Sequence, residues 1–157
     1  MSRSLSGATL QALNAPGTGE AFLILLTLDH ADLAQPIRVT SDTVATASRD
    51  HDFVPYPFEI ILPDDLDSRA PRAKLVIDNV DRQIVQAVRS LSSAPTVLIE
   101  IIRAADPETV EAQFVDFRLT NVSYDAHRVE GNLTLEDFTA EPFPAAVFSP
   151  GLFPGLF

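Results

Sequence analysis

The 157-residue chain contains no cysteine, which excludes disulfides, thiolate metal sites and thiol catalysis and removes any sign of an oxidising compartment. Tryptophan is also absent and only two tyrosines occur, Tyr56 and Tyr124, so little is available for the aromatic platforms that bind carbohydrate. Basic residues are scarce, 11 against 22 acidic ones. The resulting charge of −11 repels phosphate backbones and anionic lipids, so neither nucleic acid nor membrane is expected as a partner. The six glycines are scattered, and none forms a Gly-x-Gly strand-to-helix turn, so no phosphate loop is expected. The longest apolar run, Ala21 to Leu26, is far shorter than a membrane span, and Met1 to Leu5 lacks a signal-type apolar core. A soluble chain with one domain is the expectation.

What the chain does have is an apolar end. Residues 142–157 carry no charge and close on a tandem repeat, Pro150-Gly151-Leu152-Phe153 and Pro154-Gly155-Leu156-Phe157. Four of the ten Phe (Phe143, Phe148, Phe153, Phe157) and four of the twelve Pro lie there, which rules out a regular helix or a central strand. Burial of those Phe side chains does not by itself offset the entropy of fixing such a segment. The arm therefore either pairs its backbone with a sheet, its own or a neighbour's, or waits for a partner. Two units are expected, a β-rich domain over 1–141 and an extended arm over 142–157.

Within the domain, Ser2 to Asn14 reads as a short helix capped by Ser2 or Ser4, weakened by Gly7. Glu20 to Leu28 is apolar on both faces and reads as a central strand; Pro36–Asp42 and a proline-flanked Phe53–Leu62, at an edge, read as further strands. Ala73, Leu75 and Ile77 alternate with polar positions, as a strand with one face on the core would. Asn79 or Asp81 caps a second helix bearing Ile84, Val85, Val88 and Leu91, and Thr96–Arg103 is a strand buried on nearly both faces. A hairpin follows, Val115-Phe117-Leu119 shifting phase to Val122 and Tyr124 through a bulge near Thr120-Asn121, then Val129-Gly131-Leu133-Leu135 after a turn at Asp125-Ala126-His127. The sum predicts a mainly β fold of about seven strands, barrel or sandwich, with two short helices and the extended arm.

Candidate chemistry is sparse. His30, His51 and His127 fall in predicted loops with no ligand spacing, and read as exposed histidines without a task. Asp64, Asp65 and Asp67 lack the Gly and the distal Glu of a calcium loop, and Asp50-His51-Asp52 has no nucleophile turn beside it. No cofactor, metal or catalytic residue is expected; the chain reads as a building block rather than an enzyme.

Several collinear segments carry a resemblance: Phe22 to His30, Pro36 to Asp42, Tyr56 to Ile60, Ile77 to Val85, Arg89-Ser90-Leu91 and the terminal Phe153 to Phe157. Together they resemble a domain-of-unknown-function family of minor tail proteins from long-tailed (siphovirus-type) bacteriophages and prophages. That resemblance implies a structural component of the tail tip, similar in place to distal tail or hub proteins. It implies a homo-oligomeric ring, a hexamer or else a trimer, joining the tail tube to the baseplate hub and central fibre. The protein would sit at the virion tail tip, and in the host cytoplasm during assembly. Some hubs carry an iron–sulfur cluster, which a chain without cysteine cannot hold on thiolates. Phe143, Phe148, Leu152, Phe153, Leu156 and Phe157 are then the candidate assembly contacts. The competing reading is an accessory receptor- or carbohydrate-binding module of the same particle.

Overall fold

The computed structural model describes residues 5–61, 72–78, 86, 89–125 and 128–135. The α-helix described throughout its length is α1 (Gly7–Asn14), followed by β1 (Phe22–Asp29), β2 (Ile37–Thr40), β3 (Thr46–Ser48), β4 (His51–Pro55), β5 (Phe58–Ile61), β6 (Arg72–Asp78), β7 (Thr96–Arg103), β8 (Asp106–Tyr124) and β9 (Arg128–Thr134). The strands form one nine-stranded sheet in the order β3-β4-β2-β1-β7-β8-β9-β6-β5. All pairs are antiparallel except β2 with β4.

The mainly β character agrees with the sequence, but the architecture differs. The sheet is open rather than a closed seven-stranded barrel. It curls nonetheless. Only Tyr56 and Pro57 separate β4, one strand in from the first edge, from β5 at the last. Three Cα–Cα steps of about 3.8 Å bring these two ends of the sheet within roughly 11 Å of each other. Residues from β1, β2 and β5 to β9 accordingly share one core, centred on Leu26, Leu28, Leu75, Val97, Ile99, Phe117 and Leu133. The span Phe53–Leu62, expected as a single strand, breaks here: the Tyr56 N–H still bonds the Thr40 carbonyl in continuation of the β4–β2 pairing, but Pro57 has no N–H to carry a ladder further.

β1 and β7 lie mid-sheet, as their two-faced hydrophobicity predicts. Leu26 and Ile99 face the main core, whereas Leu25 and Ile102 point to the other face and meet Phe53 of β4 in a smaller one. β8 is longer than expected, beginning at Asp106. It carries several irregularities, of which two bear on the sequence reading. Between Phe114 and Phe117 it has one residue more than β7, with Asp116 in the left-handed region (φ 63°), so that Phe114 and Phe117 both face the core and Val115 turns out to solvent, against the inward position expected of it. The second irregularity is the bulge expected near Thr120-Asn121: the register slips between Thr120 and Ser123, and Asn121 has φ 52°. At Gly131 on β9 a Cβ would stand 2.5 Å from Leu119 Cδ1, so the absent side chain makes room for the β8 leucine.

At the N-terminus, Ser6 rather than Ser2 or Ser4 caps the helix, which makes Gly7 its first residue instead of an interior flaw. The second expected helix falls almost wholly outside the described residues, as do the division at 141/142, Asp64, Asp65, Asp67 and His127.

Candidate assembly surface

The six arm residues singled out, Phe143, Phe148, Leu152, Phe153, Leu156 and Phe157, lie outside the described residues. The described chain before the arm ends at Leu135. Thr134, the last residue of β9, pairs with Arg118 of β8, which pairs in turn with Thr96 at the start of β7. Leu135 follows and packs on the main core. Beside it is an open depression of about 430 Å³ lined by Asp29, His30, Ala31, Ser93, Ala94, Thr96 and Arg118.

His30 in this depression is not the idle exposed histidine that its loop position suggested. Its side chain is only 9% exposed, its Nε2 lies 2.7 Å from Ser93 Oγ, and its Nδ1 accepts the Asp32 N–H at 3.0 Å. The spacing superficially resembles a serine–histidine–aspartate relay, with the Asp32 carboxylate 3.4 Å from Nδ1. The hydrogen bonds run the wrong way for one. An Nδ1 that accepts from a backbone N–H places the neutral ring's proton on Nε2, which then donates to the serine and cannot deprotonate it. The Asp32 carboxylate is engaged instead by the Ser92 hydroxyl at 2.7 Å and the Ser92 N–H at 2.9 Å, and these two bonds, in that order, lower its pKa. The cluster is a clasp that fixes the β1–β2 loop to the segment entering β7. His51 opens β4 with its side chain exposed, and the neighbouring Asp50 belongs to a turn rather than to a catalytic pair.

The opposite end of the same strands is held by charge. Arg49 and Asp50 form the two-residue loop between β3 and β4, both with positive φ (50° and 61°), a geometry that usually recruits Asn-Gly. The strain is offset by what Arg49 reaches. Its guanidinium makes two 2.7 Å hydrogen bonds to the carboxylate of Glu100 on β7, which is 3% exposed. Its backbone N–H donates to Glu108, and Ser48 Oγ donates to the Pro107 carbonyl at 2.7 Å. The fork raises the Arg49 pKa further, first through the Glu100 hydrogen bonds. Sequence reading missed this pair because its members are fifty-one residues apart and one interrupts an apolar strand.

A second carboxylate, Glu111 of β8, holds α1. It accepts the Ser6 N–H at 2.9 Å, the Ser6 hydroxyl at 2.7 Å and Arg103 Nε at 3.0 Å, while Arg103 also reaches Asp106 at 3.2 Å. Burial alone would raise its pKa. The Ser6 N–H and hydroxyl, then the neighbouring Thr9 hydroxyl and Arg103, outweigh that and bring it from 4.5 to about 2. Thr9 Oγ1 itself is buried and makes no hydrogen bond of standard geometry.

Among the described residues no three His, Cys, Asp or Glu side chains gather as metal ligands, and no helix is long and apolar enough to cross a membrane. Large apolar side chains are exposed at Leu10, Leu13, Val44, Val54, Ile61 and Val115. Among the described residues the geometry offers hydrogen-bonded clasps and apolar contact surface. The model of a family described as "Domain of unknown function (DUF1833)" matches residues 8–148. No curated protein matches the chain.

Proposed function

This chain belongs to the DUF1833 family, whose description names no role; we propose, from the resemblance of its collinear segments to minor tail proteins and from its C-terminal arm, that it is a structural component of a bacteriophage tail tip. In this reading it forms a ring that joins the tail tube to the hub, and its C-terminal arm docks on the neighbouring subunit. The observation that carries the reading is the arm: sixteen residues without charge, ending in two Pro-Gly-Leu-Phe units, on a chain of net charge −11. Such a segment is poorly suited to remain in water and well suited to cover apolar surface elsewhere. An arm that leaves one subunit and lies on the next makes a heterologous contact, which closes into a ring when the rotation between copies divides a full turn. The polar clusters support a building block over an enzyme, since His30, Glu100 and Glu111 are each engaged in holding one element to another.

Light scattering over a concentration series, on the full chain and on one stopped after Glu141, tests this. A discrete hexamer or trimer that the truncation reduces to a folded monomer is the expected result. A truncated chain that keeps the oligomeric mass, or that still enters tails, would overturn the role of the arm, as would monomers from both proteins at every concentration.

A further inference from the structure

Helix α1 touches the sheet along one side only. Thr9 is its single buried residue, while Leu10 and Leu13, one turn apart and so on one flank, are 47% and 59% exposed. The helix has no charged residue, and the uncharged run around it extends from Ser4 to Gly19, sixteen residues. One other run in the chain is as long: Pro142 to Phe157, also sixteen. Laying one on the other buries apolar surface and strands no charge, which the rest of this acidic surface would not permit.

α1 and the last described residues before the arm, Thr134 and Leu135, lie at opposite ends of β7. α1 is tied through Glu111 to Arg103, at the end of β7, whereas the arm departs beyond Thr134 and Leu135, level with Thr96 at the beginning of β7. Thr96 and Arg103 are separated by roughly 23 Å of strand. Phe143 reaches its own α1 only if the residues after Leu135 cross that whole length fully extended, whereas Phe148, Phe153 and Phe157 can span it with chain to spare, so a disulfide within one chain or between two decides which α1 the arm covers. A neighbour stacked end to end presents its α1 at the arm's root without the crossing, and the 22 residues from 136 to 157 can reach roughly 70 Å.

We propose that the Leu10–Leu13 flank of α1 receives the C-terminal arm, residues 142–157, of a second copy of the chain. This rests on the reading of the arm as an assembly element and names the surface it occupies. Every copy then offers α1 at one end and an arm at the other, so one contact repeats from subunit to subunit. Phe148, Phe153 and Phe157 supply the aromatic surface that covers the two leucines.

The lack of native cysteine makes a cross-linking test unambiguous. Full-length Leu13→Cys and Phe153→Cys, one carrying a mass tag, are mixed in equal amounts and oxidised. The expected main product is a disulfide joining one of each. A mixture that gives no such product overturns the proposal, as does a Leu13→Cys/Phe153→Cys chain that closes on itself as a monomer. The full-length Leu10→Asp/Leu13→Asp variant should scatter as a folded monomer, matching the chain stopped after Glu141. If the truncation abolishes association and the double variant does not, the arm assembles but docks elsewhere, and this inference fails alone. If both variants associate like the parent, the assembly role of the arm fails with it.

Discussion

Glu100 and Glu111 are both buried carboxylates on the β7–β8 hairpin, and each fastens a peripheral element to the sheet, yet they do so by opposite arrangements. Glu100 takes its charge partner from one residue, Arg49, delivered by a hairpin turn with two left-handed residues. Glu111 divides its lone pairs among a backbone N–H, a hydroxyl and a guanidinium. A carboxylate with a single partner makes its clamp all-or-none. One with several partners tolerates the loss of any one, so the helix it holds can be altered without releasing the sheet.

The largest expected effect breaks the first arrangement. Arg49→Met leaves Glu100 buried without its fork, and uncompensated buried charge costs about 3 kcal/mol, at the low end for such pairs because Arg49 is itself 37% exposed. Urea unfolding measures this directly. Adding Glu100→Gln to the same chain should recover more than half of the loss, because the neutral amide no longer demands a cation. A single variant that loses less than about 1 kcal/mol would mean that water or Ser48 replaces the guanidinium, and the contrast between the two carboxylates would collapse.

These clamps were the least legible part of the sequence, while the strands they join were the most legible. The two-faced apolar runs of β1 and β7 marked them as central, and the alternation of Ala73, Leu75 and Ile77 marked one face of β6. The bulge at Asn121 was readable because the apolar phase shifts there. Its twin at Asp116 was not, since Val115 continues the alternation that the backbone interrupts. β3 is three residues long and its pattern carries no period, and the break at Tyr56-Pro57 falls inside an apolar run that already tolerates Pro55 within β4. His30 was misread for the same kind of reason. Its partner Ser93 is sixty-three residues away, and no local spacing announces it.

A smaller effect tests the shared arrangement. Ser6→Ala removes the Oγ that accepts the Thr9 N–H at 3.2 Å and donates to Glu111, so both the helix cap and one carboxylate bond are lost. The Ser6 N–H and Arg103 remain on Glu111. The expected cost is about 1 kcal/mol, typical of a lost N-cap. Hydrogen exchange should show opening confined to α1, with the amides of β7 and β8 as protected as in the parent. Loss of protection spreading into the strands would show that Glu111 is as dependent on one partner as Glu100 is.

The smallest effect is a pH dependence. Glu111 binds its proton more weakly in the folded chain, at about 2, than in the unfolded one, at 4.5, so acidification protonates the unfolded state first. Its contribution is therefore complete above about 4.5 and declines as the pH falls towards 2. The carboxylate is shut off from direct solvent contact but lies beneath one turn of a surface helix, where screening by water keeps the contribution modest. Asp32, whose pKa is also lowered, loses stability in the same direction, so the parent alone cannot separate the two. Glu111→Gln can. Its stability deficit relative to the parent should be constant from neutral pH down to about 4.5 and shrink below that, measured as the difference in urea midpoint. A deficit that stays constant down to pH 2.5 would remove the ionised carboxylate from the clamp and leave only its shape.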